Sequence, residues 1–155
     1  MELDEAKKFL VRANKSGYGN ESTKPTEETD GSKTITFSEG DWDFHDNYFG
    51  GEPFGGREVI FHQKKPIWMM TYYGGVFDPS VNFHEVYKIL REALLNFPEE
   101  MPVRGPERLE SGDWVYINKF DGGFADFFGV EEISYKGKVV YRTRYQGGEV
   151  DKRND

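Results

Sequence analysis

The sequence predicts an α+β fold. Two copies of a helix-then-three-strands unit are expected to be related by a pseudo-twofold axis. Together they would form one curved antiparallel sheet, open or barrel-like, with two helices packed on it. Three observations carry this. The stretch from Gly40 to Gly75 recurs from Gly112 to Gly148, with identical pairs that include Asp41/Asp113, Trp42/Trp114, Gly50/Gly122, Phe54/Phe127, Gly56/Gly129, Glu58/Glu131, Ile60/Ile133 and Tyr72/Tyr145. Similar helical segments stand in front of the copies, EAKKFLVRA from Glu5 to Ala13 and EVYKILREA from Glu85 to Ala93. Two copies are too few for a solenoid, which needs more units to bury a continuous core. Finally, 16% of the residues are aromatic, which points to an interior walled by rings.

In the first helix, Leu3, Ala6, Phe9, Leu10 and Ala13 follow helical spacing, with Asp4 and Glu5 in the first turn. Residues 18–32 turn to Gly, Asn, Ser, Thr, Pro and Glu and read as a flexible loop. Lys33 to Ser38 alternates like a strand, with no clear counterpart in the second copy. Strands are expected at Asp41–Tyr48, Glu58–Gln63 and Ile67–Tyr73, with a hairpin turn at Lys64-Lys65. Asn82, three positions before Glu85, resembles a capping box. It opens a second helix whose stripe is Phe83, Val86, Tyr87, Leu90, Ala93 and Leu94. Residues 98–111 read as a Pro/Glu-rich connection. Strands follow at Asp113–Phe120, Glu131–Tyr135 and Val139–Tyr145, with Lys136-Gly137 as a turn. The glycine pairs read as turn or bulge positions. Residues 1–150 are thus expected to be a single domain of two repeats, about 3–76 and 83–149, with 151–155 a frayed tail.

Composition narrows the function classes. The formal net charge is −8 and the pI about 5.0, without a Lys/Arg cluster, so direct nucleic-acid binding is not expected. There is no cysteine, which removes disulfides and thiolate metal sites. No apolar run approaches membrane-spanning length and MELDEAKK is unlike a signal peptide, so no membrane partner is expected and the cytoplasm is the expected compartment.

Strand alternation sorts the side chains into faces. Trp42, Phe44, Asp46 and Tyr48 share one, as do Trp114, Tyr116, Asn118 and Phe120. Glu58, Ile60 and His62 share another, matched by Glu131, Ile133 and Tyr135. Trp68, Met70 and Tyr72 share a third, matched by Tyr141, Thr143 and Tyr145. Each unit therefore gathers rings around a glutamate and an Asp or Asn. Rings with a few polar groups suit a small-molecule pocket. A carboxylate among them could hold an organic cation or act as a general acid or base. The candidate ligand-binding residues are Trp42, Asp46, Glu58, Trp68, Tyr72, Trp114, Asn118, Glu131, Tyr141 and Tyr145. The plainer alternative is that the rings form packed core and the glutamates face solvent or pair with Arg57, Arg142 or Arg144. Asp41, Asp43 and His45 alternate on the opposite strand face, but the second copy has Asp113, Val115 and Ile117 there, so no metal site is assigned. No nucleotide-loop, metalloprotease, nucleophile-elbow or dinucleotide motif occurs, and no cofactor is expected.

The GDW…GG…GG blocks with PIWMMTYYGG between them resemble a prokaryotic domain family of unknown function. That family is found alone or behind helix-turn-helix regulators, and the resemblance implies no activity. The duplicated units also resemble, in architecture, the gyrase-inhibitor-like effector-binding domains. That likeness implies a ligand cleft between the halves, with Trp42, Trp68, Tyr72 and Glu58 and their mates Trp114, Tyr141, Tyr145 and Glu131 in the binding parts. The reading that results is a small-molecule-binding domain for an apolar or aromatic ligand, with or without positive charge. A glutamate-dependent hydrolase and a protein-interaction module or homodimer are the alternatives.

Overall fold

In a computed structural model of the chain, residues 2–18 and 24–153 are described. Helix α1 spans Glu2–Tyr18 and α2 spans Phe83–Leu95. The strands are β1 (Thr26–Glu27), β2 (Lys33–Glu39), β3 (Trp42–Phe49), β4 (Phe54–His62), β5 (Lys65–Val76), β6 (Arg108–Ser111), β7 (Trp114–Gly123), β8 (Asp126–Tyr135) and β9 (Lys138–Glu149). They form one nine-stranded antiparallel sheet in the order β1-β2-β3-β4-β5-β9-β8-β7-β6. Past β1 that order is a palindrome: β2 to β5 run inward from one edge and β6 to β9 from the other. The centre is the β5–β9 pair, where Tyr72 lies directly opposite its own repeat mate Tyr145. The pseudo-twofold axis passes between them. The sheet does not close into a barrel; β1 and β6 are its edges.

The first unit holds five strands, with the strand expected at Lys33 to Ser38 present as β2, and the second holds four. The counterpart of β2 is β6, which pairs with β7 as β2 pairs with β3. It lies within the segment read as a connection, where Leu109 and Ser111 are half-buried between exposed Arg108 and Glu110. Of the loop expected at 18–32, residues 19–23 lie outside the described residues. Residues 24–32 contain β1 and a turn in which Asp30 accepts hydrogen bonds from the Ser32 amide and hydroxyl. Of the expected tail, Asp151 to Arg153 have no regular structure and 154–155 lie outside the described residues. The first hairpin turns at Gln63-Lys64, both at positive φ (50° and 68°), one residue earlier than read.

Both helices cover the same face of the sheet, α1 on β2 and β3, α2 on β7 and β8, and they touch each other. Helix α2 starts where predicted, because the Asn82 side chain accepts from the amides of His84 and Glu85. The apolar stripes bury Ala6, Phe9, Leu10 and Ala13 on α1, and Val86, Leu90, Ala93 and Leu94 on α2, as the spacing predicts, but Phe83, at the first turn of α2, is exposed and Ile89 is buried in its stead. Each helix roofs one core cluster, and each copy sends a phenylalanine across the axis. Phe127 packs in the first cluster against Trp68 (5.7 Å), and Phe54 reaches Tyr141 of the second (6.5 Å).

Candidate functional site

The helix-covered face carries two equivalent rows of side chains. In the first copy, Asp46 on β3 lies opposite Glu58 on β4, which lies opposite Met70 on β5. In the second, Asn118 on β7 lies opposite Glu131 on β8, which lies opposite Thr143 on β9. One step further along, Tyr72 and Tyr145 face Gly56 and Gly129. The absent side chain there lets each tyrosine ring lie across the neighbouring strand. A Cβ on Gly56 would stand 2.6 Å from the Tyr72 hydroxyl, and one on Gly129 would stand 2.4 Å from the Tyr145 ring. Each hydroxyl thereby reaches two strands over: Tyr72 donates to Asp46 Oδ1 and Tyr145 to Asn118 Oδ1, both at 2.5 Å. These glycines serve close approach inside strands, as do Gly74 and Gly75 within β5, rather than the turns the sequence suggested. Gly50 and Gly122, at φ 78° and 88°, fit the turn reading.

The copies then diverge. In the second, Arg104 and Gly105 lie over the row; Arg104 is buried, and Met101 and Val103 just before it pack in the cluster under α1. Arg104 Nη2 donates to Glu131 Oε1 in a fully buried pair. Tyr116 donates to Glu131 Oε2 (2.6 Å), Tyr141 donates to Oε1 (2.8 Å), and Thr143 donates to the Tyr141 hydroxyl (2.6 Å). Asn118 Nδ2 donates to the Gly105 carbonyl (3.0 Å), and the Gly105 amide donates to the Tyr116 hydroxyl (3.0 Å). Burial first, and the Glu131 charge second, push the Tyr116 and Tyr141 hydroxyls far above the ordinary tyrosine range, so they stay protonated donors.

In the first copy the equivalents of Tyr116, Tyr141 and Thr143 are Phe44, Trp68 and Met70, which carry no hydroxyl. Glu58 is 1% exposed among them. Asp46 instead lines an open groove of about 260 Å³ between α2 and the first-copy strands. The rings of Tyr48, Phe54, Tyr72 and Tyr87 and the side chains of Leu90 and Leu94 wall it. Burial raises the Asp46 carboxyl to about 6, although the Tyr72 hydrogen bond and the Arg104 charge both act to lower it. Burial, and then the Asp46 charge, also raise Tyr48. The Arg104 guanidinium stands 5.7 Å from the Tyr72 ring centre at the inner wall. The rim is fixed by Glu52, which accepts from the Tyr87 hydroxyl and from the Val76 amide (2.6 Å).

Of the ten candidate residues, Asp46 and Tyr72 line this groove. Glu58, Trp68, Asn118, Glu131, Tyr141 and Tyr145 are buried beside or beneath it. Trp68 stacks on Phe124 (4.7 Å) and donates its indole N–H to the Phe124 carbonyl (2.8 Å). Trp42 and Trp114 stand at the far end of the rows, stacked on His62 (4.3 Å) and packed on Tyr135 (4.4 Å). Neither glutamate faces solvent or pairs with Arg57, Arg142 or Arg144 in the bonds seen; Arg142 pairs with Glu132. On the opposite face, Asp43 is held by Ser38 and Lys64. Among the described residues no group of three or more His, Asp or Glu could hold a metal ion. The sequence reading missed Arg104, Tyr87 and the two leucines. Tyr87 was legible, since it occupies the helix position of Lys7 yet is a ring; Arg104 lies in a segment without periodicity.

A family described as a domain of unknown function, DUF5680, matches residues 46–150. That is more than half of the chain, which belongs to this family. No curated protein and no solved structure matches it. No helix among the described residues is long and apolar enough to cross a membrane.

Proposed function

We propose that this DUF5680 domain binds a small aromatic molecule carrying a positive charge, with the ring between Tyr48, Phe54 and Tyr87 and the cation at Asp46. The observation that carries the reading is the Asp46 carboxyl, open to a ring-walled groove where its repeat mate Asn118 is neutral and covered. Two carboxylates, Asp46 and Glu131, share Arg104, which among the described residues is the one buried basic side chain. A cation in the groove offsets the excess negative charge at low dielectric, and the rings add cation–π attraction. The volume of about 260 Å³ is just under the ~300 Å³ at which small-molecule pockets begin, which suits one ring system with a short arm. The acidic, cysteine-free chain fits a cytoplasmic setting.

The test is calorimetry and thermal shift with aryl-alkyl amines such as phenethylamine. The expected result is binding at pH 7.5 that weakens at pH 5, as Asp46 takes up a proton, and that is lost in Asp46→Asn. Silence across an amine set, or binding indifferent to Asp46→Asn, would overturn the reading. The hydrolase alternative is not favoured: both Glu131 oxygens are occupied by Arg104, Tyr116 and Tyr141, and neither glutamate lines the groove.

A further inference from the structure

Among the described residues, no helix packs on the other face of the sheet. Across its centre, strand pairing sets Phe49, Gly55, Tyr73, Arg144, Val130 and Lys119 in one row, running β3-β4-β5-β9-β8-β7. Phe128 stands in the next row, opposite Gln146. Among the described residues, seven large hydrophobic side chains are exposed, and three are here: Phe49 at 51%, Tyr73 at 63% and Phe128 at 59%. Tyr73, Phe128, Val130 and Arg144 line an open groove of about 480 Å³. A second groove, lined by Phe77 and Arg142, begins on the other side of Tyr73 and Arg144. Single exposed rings are ordinary, but a continuous strip of them is not. Rings and arginine are the residues enriched in protein interfaces and their hot spots.

Charge selects the occupant. Arg142 is neutralised by Glu132, whereas neither Arg144 nor Lys119 has an ion pair or hydrogen bond through its side chain to any described residue. Two cations without an ion pair to any described residue, flanked by rings, complement carboxylates set among apolar side chains. A nucleic acid would need more phosphate contacts than two cations give, against a net charge of −8. A second copy laid face to face would bring basic row against basic row.

We propose that this face docks an acidic protein segment, with carboxylates on Arg144 and Lys119 and apolar or aromatic side chains against Tyr73 and Phe128. The test is fluorescence anisotropy on the full chain. The probes are a labelled peptide alternating Glu with Phe and Leu, its counterpart with Lys for Glu, and an oligothymidylate. The expected result is saturable binding of the acidic peptide alone, weakened about tenfold or more by Arg144→Glu or Tyr73→Ser. The same reversal on α1, Lys8→Glu, should leave it unchanged. The changed side chains are exposed, and unaltered melting temperatures would show that the variants fold. Failure of the acidic peptide to bind, equal binding of the basic peptide, indifference to both variants, or tighter oligothymidylate binding would overturn the proposal. So would a concentration-dependent dimer that Arg144→Glu dissolves, since the face would then belong to a second copy.

Discussion

Asp46 and Asn118 occupy the same place in the two copies, and each receives the hydroxyl of a tyrosine laid across a glycine. One heavy atom separates aspartate from asparagine, and the surroundings have followed it. The amide is neutral, so it can be covered, with its N–H₂ satisfied by the Gly105 carbonyl. The carboxylate is costly to bury, and the chain leaves a groove over it. The glutamates differ in the reverse sense: Glu131 has two tyrosine hydroxyls and a guanidinium, while in the first copy the residues matching its hydroxyl donors carry none. Duplication supplied two identical cradles; one became a sealed structural network and the other an opening.

The largest effect that would test this contrast is at Arg104. Arg104→Ala strands Glu131 in a dry site and should cost about 3–5 kcal/mol in urea unfolding. A cost near that of a surface substitution would mean the second copy is not held by the pair. Next is pH. The Asp46 carboxyl sits at about 6 in the folded protein, above its ordinary 3.8. The unfolded chain therefore releases that proton first, and this group's contribution to stability falls as pH rises from about 4 to 6. The loss approaches roughly 3 kcal/mol, at ~1.4 kcal/mol per pKa unit. The wild-type-minus-variant difference should show that slope against Asp46→Asn; parallel stability curves would place Asp46 in ordinary solvent.

The glycines sharpen the comparison further. Gly129→Ala drives a methyl into the Tyr145 ring beneath the covering segment and should cost roughly 1–3 kcal/mol. Gly56→Ala should cost a similar amount, because its methyl would also stand 2.6 Å from the Asn47 carbonyl oxygen, which a shift of Tyr72 does not relieve. Effects at the hydroxyls are of the same size or smaller. Tyr145→Phe leaves Asn118 Oδ1 without its donor in a buried site, at about 1–3 kcal/mol. Tyr72→Phe should cost about 1 kcal/mol and move the Asp46 carboxyl further above 6, since the lost hydrogen bond acts to lower it. NMR titration of the Asp46 carboxyl carbon would record that shift; an unchanged value would mean the short contact is not shared in solution.

The duplicated strands, both helices and the facing of Trp68, Glu58, Tyr72 and their mates were legible, because two-residue alternation and 3.6-residue spacing are local properties. So was the presence of a carboxyl among rings. The opening itself was not. It depends on Arg104, from a segment with no periodicity, and on which copy the chain between α2 and β6 covers. Trp42 and Trp114 show the limit of face assignment: alternation puts them on the correct side, but not how far along the strand the cavity lies. The β6 strand was readable in hindsight, since Leu109 alternates with charged neighbours just before a repeated Gly-Asp-Trp.

The palindromic strand order also bears on how the molecule assembles. Apart from the central seam, neighbouring strands in the sheet are neighbours in the chain, so each half is a meander whose loops are short to close. The seam joins residues 68–76 to 141–149 and brings together ends that only a nearly complete chain possesses. Low contact order within each half and high contact order between them imply two quickly formed meanders and a slower docking event. Tyr72 and Tyr145, which face each other across that seam, would be among the last parts of the protein to take their places.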